Sequence, residues 1–354
     1  MIKRNVNLQD HNTLRLSSTA KAYSKIDNLE ALHQAITFSY AESLTTIPLG
    51  EGSNVILQKT IAAHVLDIQL DGIEKIKETE HQVWIEVGAG VNWHKWVMQS
   101  IEAQWYGLEN LALIPGRVGA APIQNIGAYG CEVSSLIDSV KFVNLKADNT
   151  VSLSISTLTA EQCLFAYRDS IFKQALAFET VITSVVFKLN KTFTPQLSYP
   201  ALKQRIEQQK SSNIDALSVA NAVIAIRSEK LPNPKQLPNA GSFFKNIAIN
   251  QQQLDIFLKQ YPNAPHFQYT NTAHADNIGY KIPAAWLIEQ CGFKGKRSGS
   301  LGMHKDQALV LIHYGDDTAP EASAADVIRF SDTIIETVKE RFGFTLQREP
   351  QTIS

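Results

Sequence analysis

The sequence predicts an α+β protein made of two or three packed subdomains. At 354 residues the chain is longer than one ordinary hydrophobic core requires. Its first half alternates short β-rich runs with single amphipathic helices, and its last part reads as helix, helix, strand, helix and strand. No GxGxxG segment joins a first strand to a first helix, so the pattern does not favour a Rossmann fold.

The first half contains two predicted strand and helix units. The first includes a helix over residues 28–42, and the second a helix from 92 to about 105 that follows the β-rich run QVWIEVGAG. Their apolar stripes are expected to be Leu29, Leu32, Ile36 and Phe38 in the first helix, and Trp93, Trp96, Val97 and Ile101 in the second. The second unit is expected to end near residue 189, after the strand FETVITSVVFKL.

The second half follows a proline-rich segment, KLPNPKQLPNAGSFFKN, which begins at residue 230. Three prolines and a glycine within about a dozen residues indicate a domain boundary after a helix over 215–228. Beyond it the patterns predict helices over residues 251–260, 283–290 and about 324–342, and strands over 307–313 and 344–350, the last being FTLQREP.

Charge and cysteine usage exclude several classes of protein. The 33 basic and 34 acidic residues nearly balance, so nothing indicates a nucleic-acid partner or binding to an anionic membrane. Three widely spaced cysteines fit a reducing compartment better than a disulfide framework. The N-terminal segment lacks the apolar run of a signal peptide, and we expect a cytoplasmic protein. Nine histidines show no metal-ligand spacing such as HExxH, so no metal is expected.

Two glycine-rich stretches are the main candidates for ligand binding. GEGSN, at residues 50–54, is by itself as compatible with a plain turn as with a phosphate cradle. The second stretch, PGRVGAAPIQNIGAYG at residues 115–130, is too rich in glycine and polar residues for a regular element. Its glycines would let backbone N–H groups approach a ligand, while Gln124 and Asn125 add amides. Together the two stretches favour a pyrophosphate-bearing cofactor.

Two further residues have both a plain and a functional interpretation. Arg168 lies among apolar residues in FAYRDSIF, where it needs either an anionic ligand or a salt bridge, with Asp169 as the nearest candidate. Ser242, in NAGSFFKN, is on its own more typical of a turn or a cap, because no GxSxG elbow is present.

Six segments in this order resemble the UDP-N-acetylenolpyruvoylglucosamine reductase family, in its longer, type I branch. They are GEGSN, GLENLALIPGRVGAAPIQNIGAYG, YRDSIFK, KLPNPKQLPNAGSFFKN, AAWLIEQCGFKG and DQALVLI, and the resemblance runs from about residue 12 to 349. It implies an FAD-binding part with the vanillyl-alcohol-oxidase (p-cresol methylhydroxylase) type of fold, built from two α/β subdomains, and a C-terminal α+β substrate domain. The implied boundaries are 1–75, 76–192 and 193–345, with 346–354 returning to the active site.

The resemblance also implies an activity. NADPH would reduce non-covalently bound FAD, and reduced FAD would reduce the enolpyruvyl group of UDP-N-acetylglucosamine enolpyruvate to give UDP-N-acetylmuramate for peptidoglycan synthesis. Arg168 would stabilise the enolate, Ser242 would donate the proton, and Glu349 would stabilise or protonate the intermediate.

The resemblance assigns binding residues as well. Those for FAD would be Gly50, Glu51, Gly52, Ser53, Asn54, Pro115, Gly116, Gly119, Ala120, Pro122, Gln124, Asn125, Ile126, Gly127 and Tyr167. Those for the UDP-sugar would be Tyr199, Lys230, Asn246 and Lys294.

A monomer is expected, again by resemblance. Two other hypotheses stay open at this point: an oxygen-using FAD oxidase of the same fold, and a non-catalytic nucleotide-sugar-binding protein. The lysine-containing segments PNPK and NAGSFFKN suit a UDP-sugar and argue against the oxidase.

Overall fold

The computed structural model describes residues 1–147, 151–209, 214–270, 278–315 and 321–354. The strands are β1 Ile2–Asn7, β2 Thr19–Ile26, β3 Thr46–Leu49, β4 Val55–Leu57, β5 Thr60–Ile68, β6 Ile73–Glu78, β7 Gln82–Gly88, β8 Gly127–Ala128, β9 Cys131–Glu132, β10 Ile137–Asn144, β11 Ile155–Thr159, β12 Thr180–Asn190, β13 Asn239–Ser242, β14 Ile247–Ile249, β15 Phe267–Thr270, β16 Ile278–Ile282, β17 Arg297–Ser298, β18 Leu301–Met303, β19 Val310–His313 and β20 Gln351–Ile353. The helices are α1 Leu29–Ala41, α2 Trp93–Glu102, α3 Pro200–Gln208, α4 Ala216–Lys230, α5 Gln251–Gln260, α6 Ala284–Gln290 and α7 Ala324–Phe342.

The chain forms two compact units, each with its own hydrophobic core. The first unit comprises Met1–Val6, Ala20–Glu51 and Ala62–Glu229, and the second comprises Asn7–Thr19, Gly52–Ile61 and Lys230–Ser354. Two short N-terminal segments thus belong to the second unit. The mixed helix and strand content confirms the predicted α+β class.

The first unit contains two sheets. One has the strand order β1-β2-β5-β3, with β3 and β5 parallel, and the other has the order β11-β10-β12-β7-β6. In the second sheet each neighbouring pair is antiparallel. The central strand β12 has eight consecutive buried residues, because both of its faces are covered.

Helices α1 and α2 begin where the sequence predicts, because an asparagine caps each one. Asn28 Oδ1 accepts the Ala31 N–H, and Asn92 Oδ1 accepts the Lys95 N–H. The predicted stripe of α1 is partly wrong, since Leu29 is 42% exposed. The buried face of α1 instead carries Leu32, Ala35, Ile36 and Ser39, spaced by three and four residues. Helix α2 ends at Glu102, and its buried face carries Trp93, Trp96, Val97 and Ser100.

The second unit is built from smaller sheets and three helices. Its sheets have the strand orders β13-β19-β18-β17 and β14-β16-β15, and β20 pairs with β4 in parallel. The bounds predicted for α5 and α7 are confirmed, and capping boxes at Asn250 and Ser323 explain why these helices begin there. Helix α7 ends at Phe342, and the next residue, Gly343, forms a left-handed C-cap with a φ of 75°.

Two strand predictions need correction. The strand expected over 307–313 is the shorter β19. The strand expected over 344–350 is wrong, because this segment has a single isolated bridge, between Arg348 and Phe244, and the terminal strand β20 begins only after Pro350. Pro350 has no N–H to give to a ladder, so regular pairing starts at the following residue. The segment with Tyr199 continues into α3, with Pro200 at its first position.

His64 predicts how the stability of the first unit depends on pH. This fully buried imidazole lies 2.8 Å from Ser24 Oγ and 2.7 Å from Ser39 Oγ, and Ser39 Oγ donates to the carbonyl of Ala35. We therefore assign the Nδ1–H tautomer. Burial lowers the pKa of His64 to about 4 from 6.5.

A histidine with a lowered pKa disfavours the folded state when it is protonated. Its contribution to stability is fully present above pH 6.5 and is lost as the pH falls toward 4. We expect the free energy of unfolding to fall by about 2–3 kcal/mol between pH 7.5 and 4.5. In urea unfolding, His64→Gln should lose this part of the pH dependence, whereas His81→Gln, at an 80% exposed side chain, should keep it. Equal pH dependence in the two variants would contradict the assignment.

Candidate active site

The glycine-rich segment at residues 113–130 belongs to the first unit. Backbone hydrogen bonds join it to the residues just before α2 and to the first residue of α2. The Gly119 N–H donates to Ala89 O at 2.9 Å, the Val118 N–H donates to Val91 O at 2.9 Å, and the Trp93 N–H donates to Gly116 O at 3.0 Å. A Cβ on Gly119 would lie 2.6 Å from that of Ala89, so only glycine permits this approach. The sequence suggested this N–H as a ligand donor, but it is already engaged.

Glu51 braces the two glycine-rich stretches. Its carboxylate accepts the Asn92 side-chain amide at 2.7 Å through Oε1 and the Gly116 N–H at 3.0 Å through Oε2. The Gly116 N–H, also expected to face a ligand, is therefore engaged. The carboxylate thus has a structural role, which suits a group that would otherwise repel a pyrophosphate.

A buried ion pair anchors the same segment to the neighbouring sheet. Arg117 Nη1 lies 2.7 Å from Asp67 Oδ1 on β5 and also donates to the carbonyl of Ile68. The other carboxylate oxygen of Asp67 accepts from Tyr23 at 2.8 Å and from Gln69 at 2.6 Å. Removal of either charge would leave the other buried without its partner, so this pair fixes the position of the loop.

Asn125 links the loop to the turn that carries Arg168. Its buried amide nitrogen donates to Glu132 Oε2 at 2.9 Å and to Ala166 O at 3.1 Å, and its amide oxygen accepts the Ser134 N–H at 3.0 Å. The sequence suggested this amide as a ligand contact. The structure shows that the amide is occupied by the protein, so Asn125 positions the loop instead.

Arg168 lies in a two-residue turn with Tyr167. The turn is closed by two hydrogen bonds between Ala166 and Asp169, and Arg168 Nη2 donates to Gly127 O at 2.7 Å. A Cβ on Gly127 would come within 3.2 Å of Arg168 Nη1. Glycine at this position therefore lets the guanidinium lie against the loop.

Backbone strain is concentrated around these residues. Leu113, Asn125, Tyr129 and Arg168 all have positive φ, between 44° and 59°. Side chains rarely adopt this conformation, and such strain persists only where surrounding contacts impose it. Sequence patterns give no sign of it, because none of these residues is glycine.

Tyr129 and Tyr199 lie together in the first unit. Their rings meet edge to face with centroids 5.2 Å apart. The Asn110 amide holds both segments in place, since it donates to Tyr129 O at 2.8 Å and to Gln196 O at 2.9 Å. Tyr199 is 38% exposed, so its ring can contact a ligand. Neither Tyr129 nor Asn110 was recognised from sequence as a site residue.

The second unit contains the rest of the GEGSN stretch. Gly52 has a φ of 63°, and a Cβ there would lie 2.0 Å from His11 O, so this turn requires glycine. The Asn54 side chain donates to Glu349 O at 3.4 Å, and Asn54 O accepts the Gln351 N–H at 3.2 Å. Asn54 thus holds the C-terminal segment in place.

Ser242 and Glu349 are brought close in the second unit. Ser242 ends β13 opposite Val310, directly after Gly241, whose φ is 68°. The Glu349 N–H donates at 2.9 Å to the carbonyl of Phe243, the residue after Ser242, and Glu349 is only 7% exposed. This hydrogen bond places the backbone of Glu349 beside the residue that follows Ser242.

The predicted substrate residues of the second unit differ in their surroundings. Asn246 Oδ1 accepts the N–H of Ala284, the first residue of α6, at 3.0 Å, which leaves its amide nitrogen as the group that can face a ligand. Lys230 is exposed. Lys294 is exposed and forms an ion pair with Glu289 at 2.8 Å, so a ligand would have to compete with this carboxylate.

Arg227, on α4, is the main charged residue that the sequence did not indicate. Its Nε donates to Leu113 O at 3.2 Å, at the start of the glycine-rich segment. The only available signal was an arginine in the otherwise apolar run NAVIAIRS, which also suits an ordinary buried helix.

The first unit has donors that fit a pyrophosphate. Within the described residues, the half-buried N–H groups of Gly50 and Glu51 have no acceptor. Consecutive backbone N–H groups after a parallel strand are a common means of holding phosphate. The described ranges contain no cluster of His, Cys, Asp or Glu arranged to hold a metal ion. None of the described helices is long and apolar enough to cross a membrane.

These features define a class of protein. Residues 20–153 match the model of an FAD-binding domain, in agreement with the paired glycine-rich stretches and with the vanillyl-alcohol-oxidase type of fold. The chain is an FAD-dependent oxidoreductase. Residues 233–353 match the C-terminal domain of UDP-N-acetylenolpyruvoylglucosamine reductase.

Full-length comparisons identify the family. The chain is 39% identical over 353 residues to the UDP-N-acetylenolpyruvoylglucosamine reductase of Amoebophilus asiaticus and equally to that of Flavobacterium johnsoniae, with 99% of each chain covered. A solved reductase from Thermus caldophilus has the same fold, with a TM-score of 0.65 at 22% identity, over 100% of this chain and 99% of that one. The chain belongs to the UDP-N-acetylenolpyruvoylglucosamine reductase family.

The Glu51 brace can be tested by FAD binding. In Glu51→Gln the amide oxygen can accept only one of the two donors, and its NH₂ group faces the other. We expect the dissociation constant for FAD to rise about tenfold, which corresponds to the loss of one hydrogen bond. Flavin fluorescence titration of the apoprotein measures this, with Glu80→Gln, at an 87% exposed side chain, as the control. Equal or tighter FAD binding would show that relief of charge repulsion outweighs the brace.

Proposed function

We propose that Arg168, Ser242 and Glu349 carry out the reduction of UDP-N-acetylglucosamine enolpyruvate to UDP-N-acetylmuramate in peptidoglycan precursor synthesis. FAD, reduced by NADPH, supplies the hydride for the β-carbon of the enolpyruvyl group. The observation that supports the residue assignment is the backbone hydrogen bond that joins the buried Glu349 to Phe243, the residue after Ser242.

Arg168 binds the carboxylate of the enolpyruvyl group. Hydride addition at the β-carbon moves the double-bond electrons onto the α-carbon and its carboxylate, so the group gains one negative charge. A guanidinium fixed by the Gly127 carbonyl is in place before this charge forms, and such preorganised donors favour the transition state over the ground state.

Ser242 donates the proton that the α-carbon needs. A serine hydroxyl is a weak acid, so the step depends on the strong basicity of the enolate and on placement within about 3 Å of the carbon. Pairing with Val310 and the fixed turn at Gly241 hold Ser242 in place. Glu349, as the second acidic group, stabilises or protonates the intermediate.

Binding of FAD rests on the two glycine-rich stretches. The N–H groups of Gly50 and Glu51 would receive the pyrophosphate. Residues 115–127, which the Glu51 and Asp67 carboxylates hold in place, would line the same FAD site. Tyr167 lies in the turn that also carries Arg168.

The residues assigned to the UDP-sugar differ from those assigned to FAD. Tyr199, supported by Tyr129, would contact the nucleotide sugar, and Lys230 and Asn246 would bind its polar groups. Lys294 is a weaker candidate, because Glu289 already neutralises it.

A monomer in the cytoplasm is part of the same proposal. The three free cysteines, which fit a reducing compartment, support the cytoplasmic location, and the monomer rests on the family resemblance alone. Light scattering of the purified holoenzyme would give the mass of a dimer if the monomer assignment is wrong.

Anaerobic half-reactions test the proposal. NADPH should bleach the bound flavin in every variant, and the enolpyruvyl substrate should restore the colour without oxygen. Ser242→Ala and Arg168→Gln should each lower turnover by about 10²–10³-fold, because a proton donor and a charge partner are lost. Ser298→Ala, at an exposed serine on β17, is the control.

Two outcomes would contradict this assignment. Colour that returns only when air is admitted would indicate an oxidase. Normal substrate-driven recovery in Ser242→Ala would remove the serine from its proposed role.

A further inference from the structure

Asp169, the carboxylate that the sequence offers as a partner for Arg168, binds other donors. Its Oδ1 accepts the Ser170 N–H at 3.0 Å, and its Oδ2 accepts the Gln174 side-chain amide at 2.7 Å. Each carboxylate oxygen thus serves a donor other than the guanidinium. Other groups must therefore set the direction of the Arg168 side chain.

Two backbone carbonyls of the glycine-rich segment accept from this guanidinium. Arg168 Nη2 donates to Gly127 O at 2.7 Å, and Nη1 makes a longer contact of 3.5 Å with Asn125 O. Carbonyl oxygens carry no net charge, so they hold a guanidinium without cancelling its attraction for an anion. The position of residues 125–127 therefore decides where the charge of Arg168 lies.

Glu132 approaches the same glycine from the neighbouring strand. It pairs with Gly127 across β8 and β9. A Cβ on Gly127 would lie 3.0 Å from Glu132 Cγ and 3.2 Å from Arg168 Nη1, so the two side chains pass over one residue. A carboxylate that bound the guanidinium directly at this place would compete with an anionic substrate. The hydrogen bond that Glu132 makes goes to a different donor.

That donor is the side-chain amide of Asn125. Glu132 Oε2 accepts Asn125 Nδ2 at 2.9 Å, and Asn125 is fully buried. The same nitrogen donates to Ala166 O at 3.1 Å, in the turn that carries Arg168. An ionised carboxylate can only accept, so it fixes which end of the amide carries the NH₂ group. The amide oxygen then faces the Ser134 N–H, from which it accepts at 3.0 Å.

We propose that Glu132 is a positioning residue for Arg168 and acts through the Asn125 amide. The carboxylate holds this amide in one orientation, and the amide holds the Arg168 turn against the carbonyls that receive the guanidinium. The proposal rests on the proposed role of Arg168 in binding the enolpyruvyl carboxylate. It assigns Glu132 to the second half-reaction, through its hydrogen bond and not through its charge.

Stopped-flow half-reactions of the FAD-loaded enzyme test this proposal. In Glu132→Ala, reoxidation of the flavin by UDP-N-acetylglucosamine enolpyruvate should slow about tenfold, the factor expected for one lost charge-assisted hydrogen bond. Flavin reduction by NADPH should not change, because Arg168 is assigned to the enolpyruvyl group. Glu132→Gln, whose amide oxygen can still accept from Asn125, should keep most of the rate. Glu132→Met is measured alongside in case the alanine variant does not fold.

A double-mutant cycle separates positioning of Arg168 from a general loss of structure. In the Arg168→Gln background, Glu132→Ala should slow reoxidation no further, because the side chain that it positions is gone. Glu80→Ala, at an 87% exposed side chain, should leave both half-reactions unchanged.

Four results would overturn the proposal. Unchanged reoxidation in Glu132→Ala would show that the hydrogen bond does not matter, and equal slowing in both backgrounds would show that Glu132 acts independently of Arg168. A glutamine variant as slow as the alanine variant would assign the effect to the charge. Equal slowing of flavin reduction would assign Glu132 to the cofactor site. Normal reoxidation in Arg168→Gln alone would instead contradict the proposed function.

Discussion

The buried amide of Asn125 is the contact on which the site in the first unit depends. An irregular segment such as residues 113–130 cannot satisfy its own backbone, so other groups must do so. One amide serves Glu132, Ala166 and Ser134, and so holds the glycine-rich loop, the segment after it and the Arg168 turn as one assembly. A buried polar group without a partner costs about 1–3 kcal/mol. Replacement of the Asn125 side chain would remove all three contacts at once.

Carboxylates stabilise a site that must receive anions, and the structure shows how this conflict is resolved. Glu51 and Asp67 both direct their charge at protein donors, namely the Gly116 N–H with the Asn92 amide, and the Arg117 guanidinium. With their charge compensated locally, these groups repel an approaching pyrophosphate less than free carboxylates would. The N–H groups of Gly50 and Glu51, which have no acceptor among the described residues, carry no net charge.

The second unit fixes its C-terminal segment through several contacts. A short parallel pairing of β20 with β4, the side chain of Asn54 and the anchoring of Arg348 to Ser331 and Asp332 on α7 fix this segment. Glu349 lies between these attachments, and this C-terminal segment therefore positions a buried glutamate. A segment with little regular strand structure is therefore held at several points by side chains and backbone of the second unit.

The sequence by itself determined the α+β class, the capped helices α5 and α7, and the segments that identify the family. Caps, periodicity and glycine-rich motifs are local, and residues a few positions apart express them in any context. The resemblance to the family rests on the same short segments, so Arg168 and Ser242 could be proposed as site residues from the sequence.

Only the tertiary structure decided which polar groups remain available for a ligand. It engaged the Asn125 amide and the N–H groups of Gly116 and Gly119 in hydrogen bonds within the protein, and it moved the terminal strand beyond Pro350. These outcomes depend on which donors and acceptors meet across distant segments. No local pattern encodes such meetings, because they follow from the packing of the whole unit.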